Sequence, residues 1–205
     1  MASRFGLLAA STLGVIAAGT VGYFFLLPES DIFAQCRTAD ASLEEPLGGP
    51  FELLNQAGET VTDKDVFAEP ALVYFGYTFC PDICPLDMGR NADAVDLLAT
   101  RGHSVTPVFV TIDPERDTPE VLADYGSYLH EKMVGLTGTL QQIEALAWTY
   151  RVFFQKEDSG DEFYLVSHMS NSFLVLPEAG VVASFARTLD ADIIASRTSC
   201  FIEAG

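Results

Sequence analysis

Apolar and polar positions divide the chain into three stretches of different grain. From Phe5 to Leu27 no charged residue occurs, a run of 23 positions rich in Leu, Ala, Gly and Val. A bilayer core needs about 20 apolar residues in a helix, so the run predicts a membrane-spanning helix with Tyr23, Phe24 and Phe25 near one interface. Its length, and a close ("YFFLLPE") without a small-residue cleavage site, favour an uncleaved anchor over a signal peptide. Residues 28–50, rich in Pro, Gly, Ser and acids, read as a linker. Residues 51–205 then form a single domain of ordinary size.

Within that domain the hydrophobic period changes repeatedly. "ALVYFGYTF" (71–79) is an unbroken apolar run, as expected of a strand buried on both faces. Met88, Ala92, Val95 and Ala99 recur at helical spacing up to Gly102. "SVTPVFVTI" (104–112) predicts a second strand, interrupted in its first half by Pro107. Thr118, Pro119 and Glu120 supply a cap, a first-turn proline and a negative charge for the next helix. Thr139 with Gln142 makes a capping-box pattern ahead of Leu140, Ile143, Leu146 and Tyr150. "RVFFQ", "FYLVSH", "SFLVL" and "VVASF" predict strands, the last two a hairpin through Pro177 to Gly180. A terminal helix opens near Asp190 and carries Ile193 and Ile194. The order predicts an α/β domain, with parallel strands early and a hairpin late.

Charge narrows the choice of partners. A formal net charge of −18 argues against nucleic acid, which selects basic surfaces. Basic residues flank the apolar run unevenly, with Arg4 and the α-amino group before it and only Arg37 soon after. The positive-inside rule therefore puts residues 1–4 in the cytoplasm. So short a leader does not suit an organelle transit peptide. The pattern predicts a single-pass protein of a bacterial inner membrane, its C-terminal domain in the periplasm.

Chemistry concentrates at "FGYTFCPDICP" (75–85), where two of the four cysteines sit four apart, each followed by proline. Three readings stand: a disulfide, a redox-active dithiol, or a pair of metal ligands. The strand 71–79 runs into Cys80 and a helix begins near Cys84, so the free N–H groups of the helix start favour thiolates there. Positions i and i+4 share a helical face, which lets the sulfurs converge. The other two, Cys36 in the linker and Cys200 near the end, read as surface groups. In an oxidising compartment they pair with each other, pair with another chain or stay free.

A metal needs a further ligand, and the chain has three histidines. His103 lies in a turn and His130 near a helix C-terminus, where its charged form is mildly favoured. His168 lies in a short polar break between two apolar strands, beside a buried sheet. Met169, next to it, offers a soft sulfur or ordinary packing. Two thiolates and one imidazole form a soft, low-coordinate set that suits Cu(I) and also holds Cu(II). Structural zinc prefers a second cysteine pair, and none with suitable spacing exists.

"FGYTFCPDICP", "VTIDPERDTPEVLADY" and "YLVSH" together resemble the Sco/SenC family of membrane-anchored copper proteins, over about 51–200. The resemblance implies a thioredoxin-like fold with extra elements. It implies that Cys80, Cys84 and His168 bind one copper, as Cu(I) or Cu(II). It further implies receipt of copper from a donor protein and help in assembling the dinuclear copper centre of cytochrome c oxidase subunit II. A second function stays open, a thiol–disulfide reductase that uses Cys80 and Cys84 to keep the target cysteines reduced. The family commonly has aspartate before its ligand histidine, where this chain has Ser167. Asp113 matches the family's "DPERDTP" and reads either as a site neighbour or as a strand-end turn former.

Overall fold

The computed structural model describes residues 31–37, 43, 46–157 and 163–205, and residues 33–205 form one compact body. The predicted anchor, 5–27, lies outside the described residues. Among the described residues no helix is long and apolar enough to cross a membrane.

The apolar run at 71–79 becomes β3 (Ala71–Gly76), and every one of its residues is buried. It lies inside a seven-stranded sheet made with β1 (Glu52–Asn55), β2 (Thr60–Thr62), β4 (Thr106–Thr111), β5 (Val134–Thr137), β8 (Ser172–Leu176) and β9 (Gly180–Phe185). The strand order is β2-β1-β5-β4-β3-β8-β9. β3, β4 and β5 run parallel, while β8 and β9 add the expected antiparallel hairpin. Alternation along β3 feeds two cores. Leu72, opposite Leu174, joins a cluster with Leu98 and Phe201; Val73, opposite Phe173, joins one with Ile143 and Leu146. In the second cluster Phe75, Tyr150 and Phe173 pack ring to ring at 5.1–6.2 Å. Truncating Phe75 to alanine would cost about 3–5 kcal/mol.

The helices follow their caps. α1 (Asp63–Val66) is a single turn, and α2 (Ile83–Thr100) follows the cysteine loop. α3 (Pro119–Leu129) starts at Thr118, whose hydroxyl accepts from the Val121 amide. α4 (Leu140–Thr149) has the reciprocal Thr139–Gln142 box. α5 (Ala191–Ala204) closes the chain against α2. Pro107 sits within β4 without breaking it. The preceding Thr106 amide points to the β3 side, at the Pro70 carbonyl. The missing donor of Pro107 therefore falls on the β5 side, where pairing starts only at Val108.

Patterning underread β1, β2 and β5, which are three or four residues long and too short for a period. It overread two strands. "RVFFQ" and "FYLVSH" contribute only β6 (Phe154–Lys156) and β7 (Val166–His168). These pair with each other, Phe154 opposite His168, as a separate two-stranded ribbon.

Cys36 and Cys200 form a disulfide with Cα atoms 5.7 Å apart. The expectation that both are surface groups fails for Cys36, which is 4 % exposed. The stretch read as linker makes a turn there, in which the Cys36 amide donates to the Phe33 carbonyl. Phe33 packs on Phe201 of α5 at 5.5 Å, which draws the cysteine inward.

Candidate metal centre

The centre begins where β3 ends. Gly76 occupies the last position of the strand. A Cβ there would stand 2.9 Å from Cys84 Sγ and 2.8 Å from the Tyr74 ring. Only glycine leaves room for the sulfur against the strand. The chain then turns, with the Cys80 amide donating to the Tyr77 carbonyl, and enters α2. Asp82 stands at the helix start but makes no side-chain cap. Instead the Cys84 amide donates to Cys80 Sγ at 3.3 Å, so a sulfur takes the place of a capping oxygen.

His168 arrives from the other side, at the end of β7. Its Nδ1 lies 2.8 Å from the Met169 carbonyl. A carbonyl only accepts, so Nδ1 carries the proton and Nε2 presents its lone pair. Nε2 points at Cys84 Sγ, 3.4 Å away. The ligand atoms of Cys80, Cys84 and His168 all lie within 4.8 Å of one another. The imidazole stands edge-on between the rings of Tyr74 and Tyr77, at 6.1 and 6.0 Å.

Burial governs the electrostatics. It pushes the Cys84 thiol well above its ordinary range, beyond what the nearby hydrogen bonds offset. The expectation that the helix start favours a thiolate at this position is thus corrected. Cys84 is fully enclosed, and the free amide of the first turn serves the Cys80 sulfur. Burial likewise lowers the His168 pKa and so favours the neutral ring, against a weaker upward pull from its bond to Met169 and from Asp87. A soft cation entering here would favour the deprotonated sulfurs and meet a ready imidazole.

The remaining candidates lie elsewhere. His103 pairs with Glu203 and His130 with Asp96, each at 3.4 Å, and neither joins the group. The Met169 side chain is exposed; its carbonyl, not its sulfur, serves the centre. The Ser167 hydroxyl donates to Glu157 at 2.7 Å. Asp113 forms the turn just past β4 and also accepts from Arg116 and from the Tyr164 hydroxyl, the latter at 2.7 Å.

Sequence reasoning passed over Asp117, which sits just before a helix and reads as an ordinary helix-start acid. It is fully buried. It accepts from the Thr78 amide at 3.0 Å, the Thr78 hydroxyl at 2.6 Å and the Thr111 hydroxyl at 2.6 Å. Thr78 belongs to the cysteine loop, so Asp117 ties that loop to the end of β4. Polar spacing in "DPERDTP" was the one available signal.

Comparisons with known proteins agree on one family. The SCO1/SenC family model matches residues 39–203. Protein SenC of Rhodobacter capsulatus is 43 % identical over 205 residues, covering all of this chain and 93 % of the relative. The crystal structure of Arabidopsis thaliana ScoI with copper bound is 36 % identical with a TM-score of 0.73, over 77 % of this chain and 99 % of that one. BsSco has been described as carrying a disulfide switch and as a member of the Sco family of cytochrome c oxidase assembly proteins. It shares 26 % identity at a TM-score of 0.62, over 78 % of this chain and 96 % of that one. The mixed α/β fold thus matches the solved Sco structures.

Proposed function

We propose that this chain, which belongs to the SCO1/SenC family, is a copper chaperone that carries one copper ion on Cys80, Cys84 and His168. The observation that carries the reading is the meeting of two free sulfurs and one Nε2 within 4.8 Å. Two thiolates and a neutral imidazole hold Cu(I) without strict geometry and also accept Cu(II). Few ligands make release by ligand exchange feasible, as transfer requires. The recipient is the dinuclear copper centre of cytochrome c oxidase subunit II, and the source is a copper donor protein. The copper-bound relative and the oxidase-assembly relative support this assignment.

Copper stoichiometry on the purified protein, with His168→Ala beside it, tests the proposal. One copper per chain is expected, with a thiolate-to-Cu(II) charge-transfer band that His168→Ala abolishes. A wild-type protein that takes up no copper would reject it.

A second reading rests on the unequal exposure of the two thiols. Cys80 is half-buried and Cys84 fully buried, which suits an attacking and a resolving cysteine. The Cys80 thiolate would attack a target disulfide and release one target thiolate. Cys84 would then displace the other, leaving the target reduced and a Cys80–Cys84 disulfide behind. That chemistry uses no imidazole, so a His168→Ala variant that supports full oxidase activity would put it first.

The proposal includes residues 5–27 as an uncleaved anchor, with the domain in the periplasm. Protease added to spheroplasts should digest the domain; a mature soluble chain starting near residue 30 would reject the anchor.

A further inference from the structure

His168 sits on a ribbon that, among the described residues, shares no strand pairing with the main sheet. The chain rejoins that sheet at Ser172, and beyond this short tether the gap between the imidazole and the sulfurs is set by side chains. One of these is Arg116, in the loop between β4 and α3. Its Nε donates to the Asp113 carboxylate, and its Nη1 donates to the Tyr164 carbonyl at 3.0 Å. The guanidinium lies 3.7 Å from the ring centre of Tyr164, 4.7 Å from that of Phe79 and 5.7 Å from that of Tyr77. Tyr77 and Phe79 belong to the cysteine loop, and Tyr164 leads into β7. One side chain thus touches both halves of the centre.

We propose that Arg116 is a positioning residue that sets the distance from His168 to the cysteine sulfurs by clasping the β6–β7 ribbon to the cysteine loop. The chemistry suits arginine and not lysine. A planar guanidinium donates in two directions while its faces stack on aromatic rings, which a point-charge ammonium does not reproduce. The adjacent residue completes the device, since Asp117 fixes the cysteine loop through Thr78. Lys156 also reaches Tyr164, but its pair with Glu115 is more than half exposed and ties the ribbon to the β4–α3 loop, not to the cysteine loop. Such a pair holds little. Cys84 reports on the clasp directly, because it is fully enclosed with His168 against its sulfur.

The inference rests on the copper reading only for its second readout. The first uses the full-length, reduced, metal-free protein and measures maleimide alkylation of Cys84 against Cys80 by mass spectrometry. Arg116→Ala is expected to speed Cys84 alkylation about tenfold or more as the ribbon opens locally, with Arg116→Lys in between. The second readout is the thiolate-to-Cu(II) band, recorded well below the unfolding midpoint. Arg116→Ala should weaken and shift it, with Cu(II) affinity reduced about 10–100-fold. A loss of stability alone would leave the band of the folded protein in place. Unchanged Cys84 alkylation together with an unchanged band in Arg116→Ala overturns the proposal. Should Arg116→Ala not fold, Arg116→Lys decides: faster Cys84 alkylation with native circular dichroism supports the clasp, and an unchanged rate overturns it. Should the wild-type protein bind no copper, the copper reading falls and alkylation alone decides the clasp.

Discussion

Two cysteine pairs occupy opposite ends of α2, and the chain treats them in opposite ways. Cys84 is the second residue of the helix, whereas the Cys36–Cys200 bond packs in the cluster that contains Leu98. Those positions lie about 20 Å apart along the axis at 1.5 Å per residue. At the far end Cys36 is buried in an apolar cluster with Phe33, Phe201 and Leu176, and Cys200 packs against it. At the near end the sulfurs stay free. They meet a helix amide and an imidazole, while a buried carboxylate and a guanidinium between aromatic rings hold their loop. Sulfur in one place closes a loop of the chain; in the other it is held open for a ligand. The contrast comes from what surrounds the thiols, not from the thiols themselves.

The contrast predicts that the two ends fail separately. Cys84→Ala should abolish stoichiometric copper binding, a loss larger than the ~100-fold typical of an outer-shell partner, as read by competition with a copper chelator. Its unfolding midpoint should move far less than that of the next variant. Cys36→Ser with Cys200→Ser should cost about 2–5 kcal/mol in denaturant unfolding, because the bond closes a loop across 164 positions. Copper stoichiometry should not change. A loss of copper in that double variant would break the separation.

Smaller effects sharpen it. Gly76→Ala places a methyl against Cys84 Sγ and Tyr74, and should cost about 1–3 kcal/mol as overpacking. Its effect on the charge-transfer band should exceed that of Phe75→Ala measured at equal residual stability. The smallest concerns acid. Burial lowers the His168 pKa below its ordinary 6.5, so near and below that value the unfolded chain binds the proton more readily. The stabilisation is complete above pH 6.5 and is lost as pH falls through the lowered value. Metal-free His168→Ala should show a flatter dependence of stability on pH across that interval. An identical slope in both proteins would mean the ring is not desolvated.

The apolar grain of the sequence determined β3, β4, the helices at 83, 119, 140 and 191, and the late hairpin. Long periods and explicit caps are local signals, and residues such as Thr118, Thr139 and Gln142 act on their own turn. The strand–turn–helix setting of Cys80 and Cys84, and the polar break at His168, were legible for the same reason. Tertiary structure alone decided the rest. Three-residue strands such as β2 carry no period, so they exist only because a neighbour pairs with them. The bond between Cys36 and Cys200 needed two segments 164 positions apart to meet on α5. The raised Cys84 pKa reverses the local expectation, because burial outweighs the hydrogen bonds that favour the thiolate. Asp117 and Arg116 carry no local signal of their contacts. Their partners, Thr78 and Tyr164, lie 39 and 48 positions away, and no pattern along the chain records a contact made only when the sheet and the ribbon close around the sulfurs.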